Sequence, residues 1–257
     1  MFGSLSDAAF VGENVYSGSV LAIDFNYGVN PPAVQRTLNA NIVSNTVDIS
    51  NVHWRRLYAT RCPNLIYLFA VSCNLSYISI LNCPNIDYLY CDINNLTSLD
   101  LSYSKITTLS VLLCHHNQLQ VLTLGSCLVQ DQLECHNNQL TSLDLHTQTS
   151  LIYLNCSTNP LASLNVHTAS ALTNLNVRDC SALRILDAYG TALDQNMIDI
   201  VYGDLLYNAI TYNLRGNGNV DLRVANASVT PSATGIGYRN TLTSTSYLWT
   251  CIDNDNF

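Results

Sequence analysis

The sequence predicts a mostly β solenoid with short parallel ladders and few helices, and three observations predict it. A short motif that begins with leucine recurs through the middle of the chain, and a second series of apolar pairs interleaves with it in phase. Each copy holds two apolar residues separated by one position, as in a very short strand with both side chains on one face. Such a strand cannot bury its face alone, so successive copies are expected to stack around one continuous core.

The two series set the length of one turn. The first residues of the first series are spaced by 21, 23, 21 and 21 positions, and they are Leu68, Leu89, Leu112, Leu133 and Leu154. The same period extends this series back to Val47 and forward to Leu175. The second series consists of Leu57, Ile78, Leu99, Leu122, Leu143, Leu164 and Leu186. Both series jump by 23 in the same region, which indicates a two-residue insertion near Ser110 and Val111.

The inward columns of the repeat hold thiols and amides. Counted from the first leucine as zero, position two holds Cys91, Cys114, Cys135 and Cys156, which we expect to be reduced thiols in the core. Position five holds Asn94, Asn117, Asn138 and Asn159, whose amides are expected to bond backbone groups at the bend. Nine of the ten cysteines follow the repeat, all except Cys251, and none forms a CxxC pair. This usage favours assembly in a reducing compartment over zinc binding.

The motif LxCxxNxLxxLDL from Leu133 to Leu145 resembles a leucine-rich repeat. It is most similar to the nested 21-residue class of bacterial and phage proteins, in which both halves of a turn carry the leucine signature. The resemblance covers about 47–193 and implies a right-handed superhelix. It implies little about function, because one fold hosts many functions.

The chain is therefore divided into three parts: an N-terminal cap or anchoring arm at 1–46, the solenoid at 47–193, and a C-terminal α/β cap at 194–257. The last part resembles the cap that follows such repeats in bacterial and phage proteins. Its predicted elements are a helix with Asp194 as N-cap, a strand at Val220–Val224, a helix from Pro231 and a strand at Tyr247–Ile252. In the N-terminal part we expect a weak strand at Val20–Phe25 and a short helix that starts at Asn30.

Composition excludes several classes of partner. Charged residues make up 11% of the chain, the net charge is −8, and Lys105 is the single lysine, so neither nucleic acid nor an anionic membrane surface is an expected partner. There is no uninterrupted run of 18 apolar residues, so no membrane span is expected. The first residues lack the basic and apolar regions of a secretory signal, so we expect folding in the cytoplasm without a signal peptide.

The outward residues of the first series are the candidate ligand-binding face. They are Tyr67, Phe69, Tyr88, Tyr90, Asp92, His115, Glu134, His136 and Tyr153. Clustered aromatic rings favour contact with a protein or a glycan, although rings that simply cover the ladder remain an alternative. We expect no metal, because ladder spacing separates Asp92 from His136 by roughly 10 Å. No cofactor is expected, and no catalytic motif is present, so an enzyme is not expected.

These observations lead to a functional expectation. The chain is expected to be a non-enzymatic recognition module that binds a protein or surface glycan, in the role of a phage adsorption protein on a tail fibre or capsid. It would reside on the virion or cell surface after folding in the cytoplasm. One alternative is a structural subunit of a particle or filament, with its aromatic face buried against virion neighbours or in a homo-oligomer. The other is a bacterial cell-surface adhesin.

Overall fold

The computed structural model describes residues 35–38, 44–51, 53–216, 218–244, 246–247 and 249–255. In these residues the chain is a β solenoid of about seven turns with parallel strands and two helices, which confirms the predicted fold class. The first strands are β1 (Gln35–Leu38), β2 (Thr46–Asp48), β3 (Arg56–Thr60), β4 (Tyr67–Phe69), β5 (Tyr77–Leu81), β6 (Tyr88–Tyr90), β7 (Ser98–Asp100), β8 (Thr108–Leu113) and β9 (Val121–Thr123). They are followed by β10 (Leu128–Glu134), β11 (Ser142–Asp144), β12 (Tyr153–Asn155), β13 (Ser163–Asn165), β14 (Asn174–Asn176) and β15 (Ile185–Asp187). The remaining elements are α1 (Gln195–Thr211), β16 (Asn219–Asp221), α2 (Ala233–Thr243) and β17 (Thr250–Ile252).

The strands alternate between two sides of the solenoid. The first face is one continuous seven-stranded sheet in the order β2, β4, β6, β8, β10, β12 and β14. The second face holds three separate sheets, which are β1-β3-β5, β7-β9 and β11-β13-β15-β16-β17. Each pairing on the first face is parallel and joins successive turns. Since this face forms a single sheet and the second face is divided into three, the first face is the longer uninterrupted surface.

The leucines of each series lie in register at the centre of the core. Leu68 pairs with Leu89, and Leu89 with Leu112, and all three are fully buried. All ten cysteines are buried and unbridged, as predicted for the nine that follow the repeat. Cys251, which the repeat did not explain, pairs with Val220 in β16 and continues the second series.

The predicted asparagine ladder is present. The Asn138 amide donates to the carbonyls of Cys114 at 3.0 Å and Cys135 at 2.9 Å, and its oxygen accepts from the Leu119 amide at 2.9 Å. The partners lie in two adjacent turns, so each asparagine joins its own turn to the preceding one. At position five after Leu175 the series has Cys180 instead of an asparagine, and the Cys180 thiol donates to the Cys156 carbonyl at 3.4 Å.

The inserted residues lie slightly earlier than predicted. The Ser110 amide already bonds the Asp87 carbonyl across 23 residues. The inserted residues therefore lie before Ser110. Val111 itself stays in register with Tyr88.

The solenoid begins before the predicted boundary. Residues 35–38 form β1 in parallel with β3, so the short helix predicted to start at Asn30 is wrong over this segment. The register aligns Arg36 with Leu57, so this turn has an arginine where the other turns have an apolar residue, and the repeat pattern does not extend visibly to β1. The strand predicted at Val20–Phe25 lies outside the described residues.

The C-terminal elements agree with the predicted order. Asp194 caps α1 by accepting from the Met197 amide at 2.7 Å, as predicted. The second helix starts at Ala233 and has Ser232 as its N-cap, close to the predicted Pro231. Strands β16 and β17 are shorter than predicted, and both extend the second-face sheet that ends with β15.

Position four of the first series adopts a left-handed backbone in every turn. The residues and their φ values are Asn51 (63°), Ser72 (58°), Ile93 (54°), His116 (51°), Asn137 (57°), Thr158 (54°) and Asp179 (57°). This conformation bends the chain sharply after each first-face strand. It favours asparagine and glycine and is costly for β-branched residues.

Candidate functional site

Four aromatic side chains lie together on β4 and β6 of the first face. Tyr67 stacks on Tyr88 with ring centroids 5.0 Å apart and planes 24° apart, and Phe69 lies 4.9 Å from Tyr90. We call Tyr67, Phe69, Tyr88 and Tyr90 the aromatic cluster. Parallel pairing brings residues of the same repeat position side by side, which explains the two columns of rings. The rings are half-buried rather than exposed as predicted, because each covers its neighbour.

The next turns of the same face carry three imidazoles. His115 and His136 stack with centroids 4.4 Å apart and planes 18° apart. His116 meets both edge-on, at 5.0 Å from His115 and 5.2 Å from His136. One nitrogen of each ring lies within 4.8 Å of the others, so we call these three residues the histidine cluster.

Register and backbone conformation together assemble the histidine cluster. His115 and His136 follow β8 and β10 at equivalent positions of adjacent turns, so their rings stack. His116 occupies a left-handed turn position, and its Nδ1 lies 2.9 Å from His115 Nδ1. Repeat spacing identified His115 and His136 as outward residues of this face but did not predict a contact with His116. The structure brings His116 to the other two rings, and the sign of its φ is not encoded in the repeat spacing.

Two carboxylates border the histidine cluster. Asp92 Oδ2 lies 3.7 Å from His115 Nε2, and Glu134 Oε2 lies 3.4 Å from His136 Nδ1. Asp92 is only 6% exposed, and its Oδ1 has no hydrogen-bond partner among the described residues. Burial raises the pKa of Asp92, although His116 and His136 act in the opposite direction.

The imidazoles next to these carboxylates tend towards the neutral form. Burial lowers the pKa of His115, against the raising effect of Glu134. Burial also lowers the pKa of His136, with His115 adding to that effect. A neutral imidazole keeps one nitrogen lone pair free, so the cluster can accept hydrogen bonds or ligate a cation.

Tyr153 completes the set of predicted face residues. It lies on β12 in register with Gln132, and it is half-buried. Burial raises its pKa, with a further contribution from Glu134, so its hydroxyl stays a donor at neutral pH. The neighbouring Asn155 places its amide nitrogen 3.1 Å from His136 Nδ1. The nine predicted residues thus follow one another along the first face, from β4 to β12.

The second face also carries histidines, but they are separate from this site. His146 Nδ1 lies 2.8 Å from Asp144 Oδ1, and His167 Nδ1 lies 3.1 Å from Asp187. His146 is exposed and belongs to no cluster of metal-ligating groups in the described part of the chain. It therefore serves as a reference position for substitutions in the histidine cluster.

The comparisons with known proteins add no assignment. Among the described residues, neither helix has the length and apolar character needed to cross a membrane. No protein-family model matches the chain, and no curated protein matches it. The leucine-rich-repeat resemblance therefore stays a prediction, while the solenoid architecture that it implies is present.

Proposed function

We propose that the chain is a non-enzymatic recognition module that binds a glycan or protein on a surface through its first face. The observation that carries this proposal is the aromatic cluster, in which two columns of rings lie side by side on an uninterrupted sheet. Aromatic side chains lose little conformational freedom on binding and dominate the energetics of many interfaces.

The polar groups beside the rings suit a carbohydrate. The flat apolar face of a pyranose packs against a tyrosine ring, and its hydroxyls need donors and acceptors at the rim. Glu134 supplies an acceptor on the same face, two strands from the aromatic cluster, while Tyr90, whose pKa is raised by burial, supplies a donor. A glycan is therefore the first probe to use, and a protein surface is the second.

The thiols support a role on a virion. All ten cysteines are buried and unbridged in the core, an arrangement typical of chains that fold where thiols stay reduced. A phage adsorption protein folds in the host cytoplasm and is exposed only after release. We therefore place the proposed recognition module on a tail fibre or capsid.

Binding to a glycan array and to whole bacterial cells tests the proposal. Replacing Tyr67 and Tyr88 by alanine should weaken binding by at least about tenfold, since aromatic anchors carry much of the affinity of an interface. Tyr103→Ala is the matched control, because this tyrosine is 70% exposed and lies outside the first-face strands. Circular dichroism would verify that all variants remain folded. Equal binding by the double variant and the wild type would refute the proposal.

The same experiment separates the structural alternative from recognition, whereas the bacterial adhesin needs a different observation. A structural subunit should bind no ligand, and should instead form oligomers in solution that dissociate when Tyr67 and Tyr88 are replaced. A bacterial adhesin should bind in the same way as a phage protein, and the genes that neighbour its own would reveal its origin.

A further inference from the structure

The strongest unassigned feature of the described residues is the histidine cluster with its two carboxylates. We propose that His115, His116 and His136 form a binding site for one divalent transition-metal ion of the zinc type. The proposal does not depend on the recognition function proposed above. It starts from the three ring nitrogens that lie within 4.8 Å of one another.

The separations between the nitrogens suit such an ion. A zinc–nitrogen bond of about 2.0–2.1 Å in a tetrahedral site places neighbouring ligand nitrogens about 3.3 Å apart. The His115 and His116 Nδ1 atoms are 2.9 Å apart, and the whole set spans up to 4.8 Å, so the required distance lies between these values. Binding of one ion would require the His115 and His116 nitrogens to separate slightly and the more distant nitrogens to approach each other. Calcium and magnesium are not expected, because they prefer oxygen ligands.

The other nitrogen of two of the rings already faces a carboxylate. His115 directs Nε2 towards Asp92 and Nδ1 towards His116, and His136 directs Nδ1 towards Glu134. In metal sites a ligating histidine commonly donates its second N–H to a carboxylate, which fixes the tautomer and raises the basicity of the ligand. His115 would thus ligate through Nδ1, and His136 would ligate through Nε2 when its Nδ1 carries the proton and donates to Glu134 instead of accepting from the Asn155 amide, which lies 3.1 Å away.

A second, independent observation comes from Asp92. Its Oδ1 is buried and has no hydrogen-bond partner among the described residues. A buried carboxylate without compensation is costly, and a cation bound by the neighbouring imidazoles would offset that cost. Three protein ligands leave a fourth position open, which water or a group of a bound partner would fill.

Titration with metal ions tests the site. Untagged wild-type protein, stripped with a chelator, should bind one Zn²⁺ per chain in calorimetry and show the visible absorption of tetrahedral Co²⁺. The Co²⁺ spectrum should lack the intense near-ultraviolet band of thiolate ligation, because all the cysteines are buried in the core. Mg²⁺ should not compete.

The diagnostic variant is His116→Asn. Asparagine occupies the same left-handed position one turn later, at Asn137, so this variant removes an imidazole without disturbing the bend. It should weaken Zn²⁺ binding by about 100-fold, and Asp92→Asn should weaken it by about tenfold. The control His146→Asn should leave binding unchanged. Absence of saturable one-to-one binding by the wild type, or an equal affinity in His116→Asn, would overturn the proposal.

Discussion

Asn208 of helix α1 donates to the Val177 carbonyl at 2.9 Å and accepts from the Asp179 amide at 2.8 Å. These contacts reproduce those of the asparagine ladder, in which an amide bonds a carbonyl and an N–H of the solenoid backbone. The helix thus supplies the polar group that a further turn would have contributed.

We predict that Asn208→Ala lowers the free energy of unfolding by about 2 kcal/mol, because it leaves two buried backbone groups without partners. Chemical denaturation monitored by circular dichroism measures the change. Asn196→Ala is the control, since Asn196 lies on the same helix but is exposed. A loss no larger than that of the control would show that α1 is held by its apolar contacts alone.

Ile93→Asn is expected to stabilise the protein. Ile93 is 50% exposed and has a φ of 54°, a conformation that is unfavourable for a β-branched residue. Asparagine tolerates this conformation, so the gain should be about 1 kcal/mol. The control is Ile152→Asn, because Ile152 is similarly exposed at 43% and has no positive φ. Equal effects of the two substitutions on the melting temperature would contradict the backbone argument.

Asp204 is expected to lower the free energy of unfolding as the pH rises. Burial raises its pKa from the ordinary value of 3.8, while the Arg178 guanidinium, 3.4 Å away, acts against that rise. As the pH rises from 3.8, the unfolded carboxyl loses its proton first, so the folded state binds more protons and the free energy of unfolding falls. Its contribution is thus favourable in acid and is lost as the pH passes the folded pKa.

The variant Asp204→Asn removes this titration. It should be more stable than the wild type at pH 7 and equally stable near pH 3. Urea denaturation at both pH values measures the difference, and the exposed Asp131→Asn is the reference substitution. A variant that is less stable than the wild type at pH 7 would show that the pair with Arg178 outweighs the cost of burial.

The thiols should be inert in the folded protein. Burial raises the pKa of Cys127 to about 12 and that of Cys251 to about 12, and both side chains lie in the core. The hydrogen bond with Cys62 lowers the pKa of Cys83, but this side chain is fully buried as well. Because all ten thiols are inaccessible in the folded protein, a disulfide reagent at pH 8 should modify none of them until denaturant is added. Rapid modification of even one thiol in native protein would contradict the packing of the column in which it lies.

The sequence predicted the solenoid because stacked turns require the same residue type at the same position, as the aligned leucines Leu68 and Leu89 show. It missed β1, because Arg36 stands at the position that is aligned with Leu57, so the pair of apolar residues that marks the other turns is incomplete there. It placed all nine face residues on one side, but not His116 beside His115 and His136. That contact depends on a left-handed backbone angle, which residue spacing does not encode.

Helices α1 and α2 determine how copies of this chain can meet. Helix α1 contacts β14, the last strand of the first face, and α2 contacts β17, the last strand of the second. Both outermost strands at this end are therefore screened from the exposed backbone of another molecule. Head-to-tail growth by addition of a strand to β14 or β17 is therefore disfavoured at this end of the described residues.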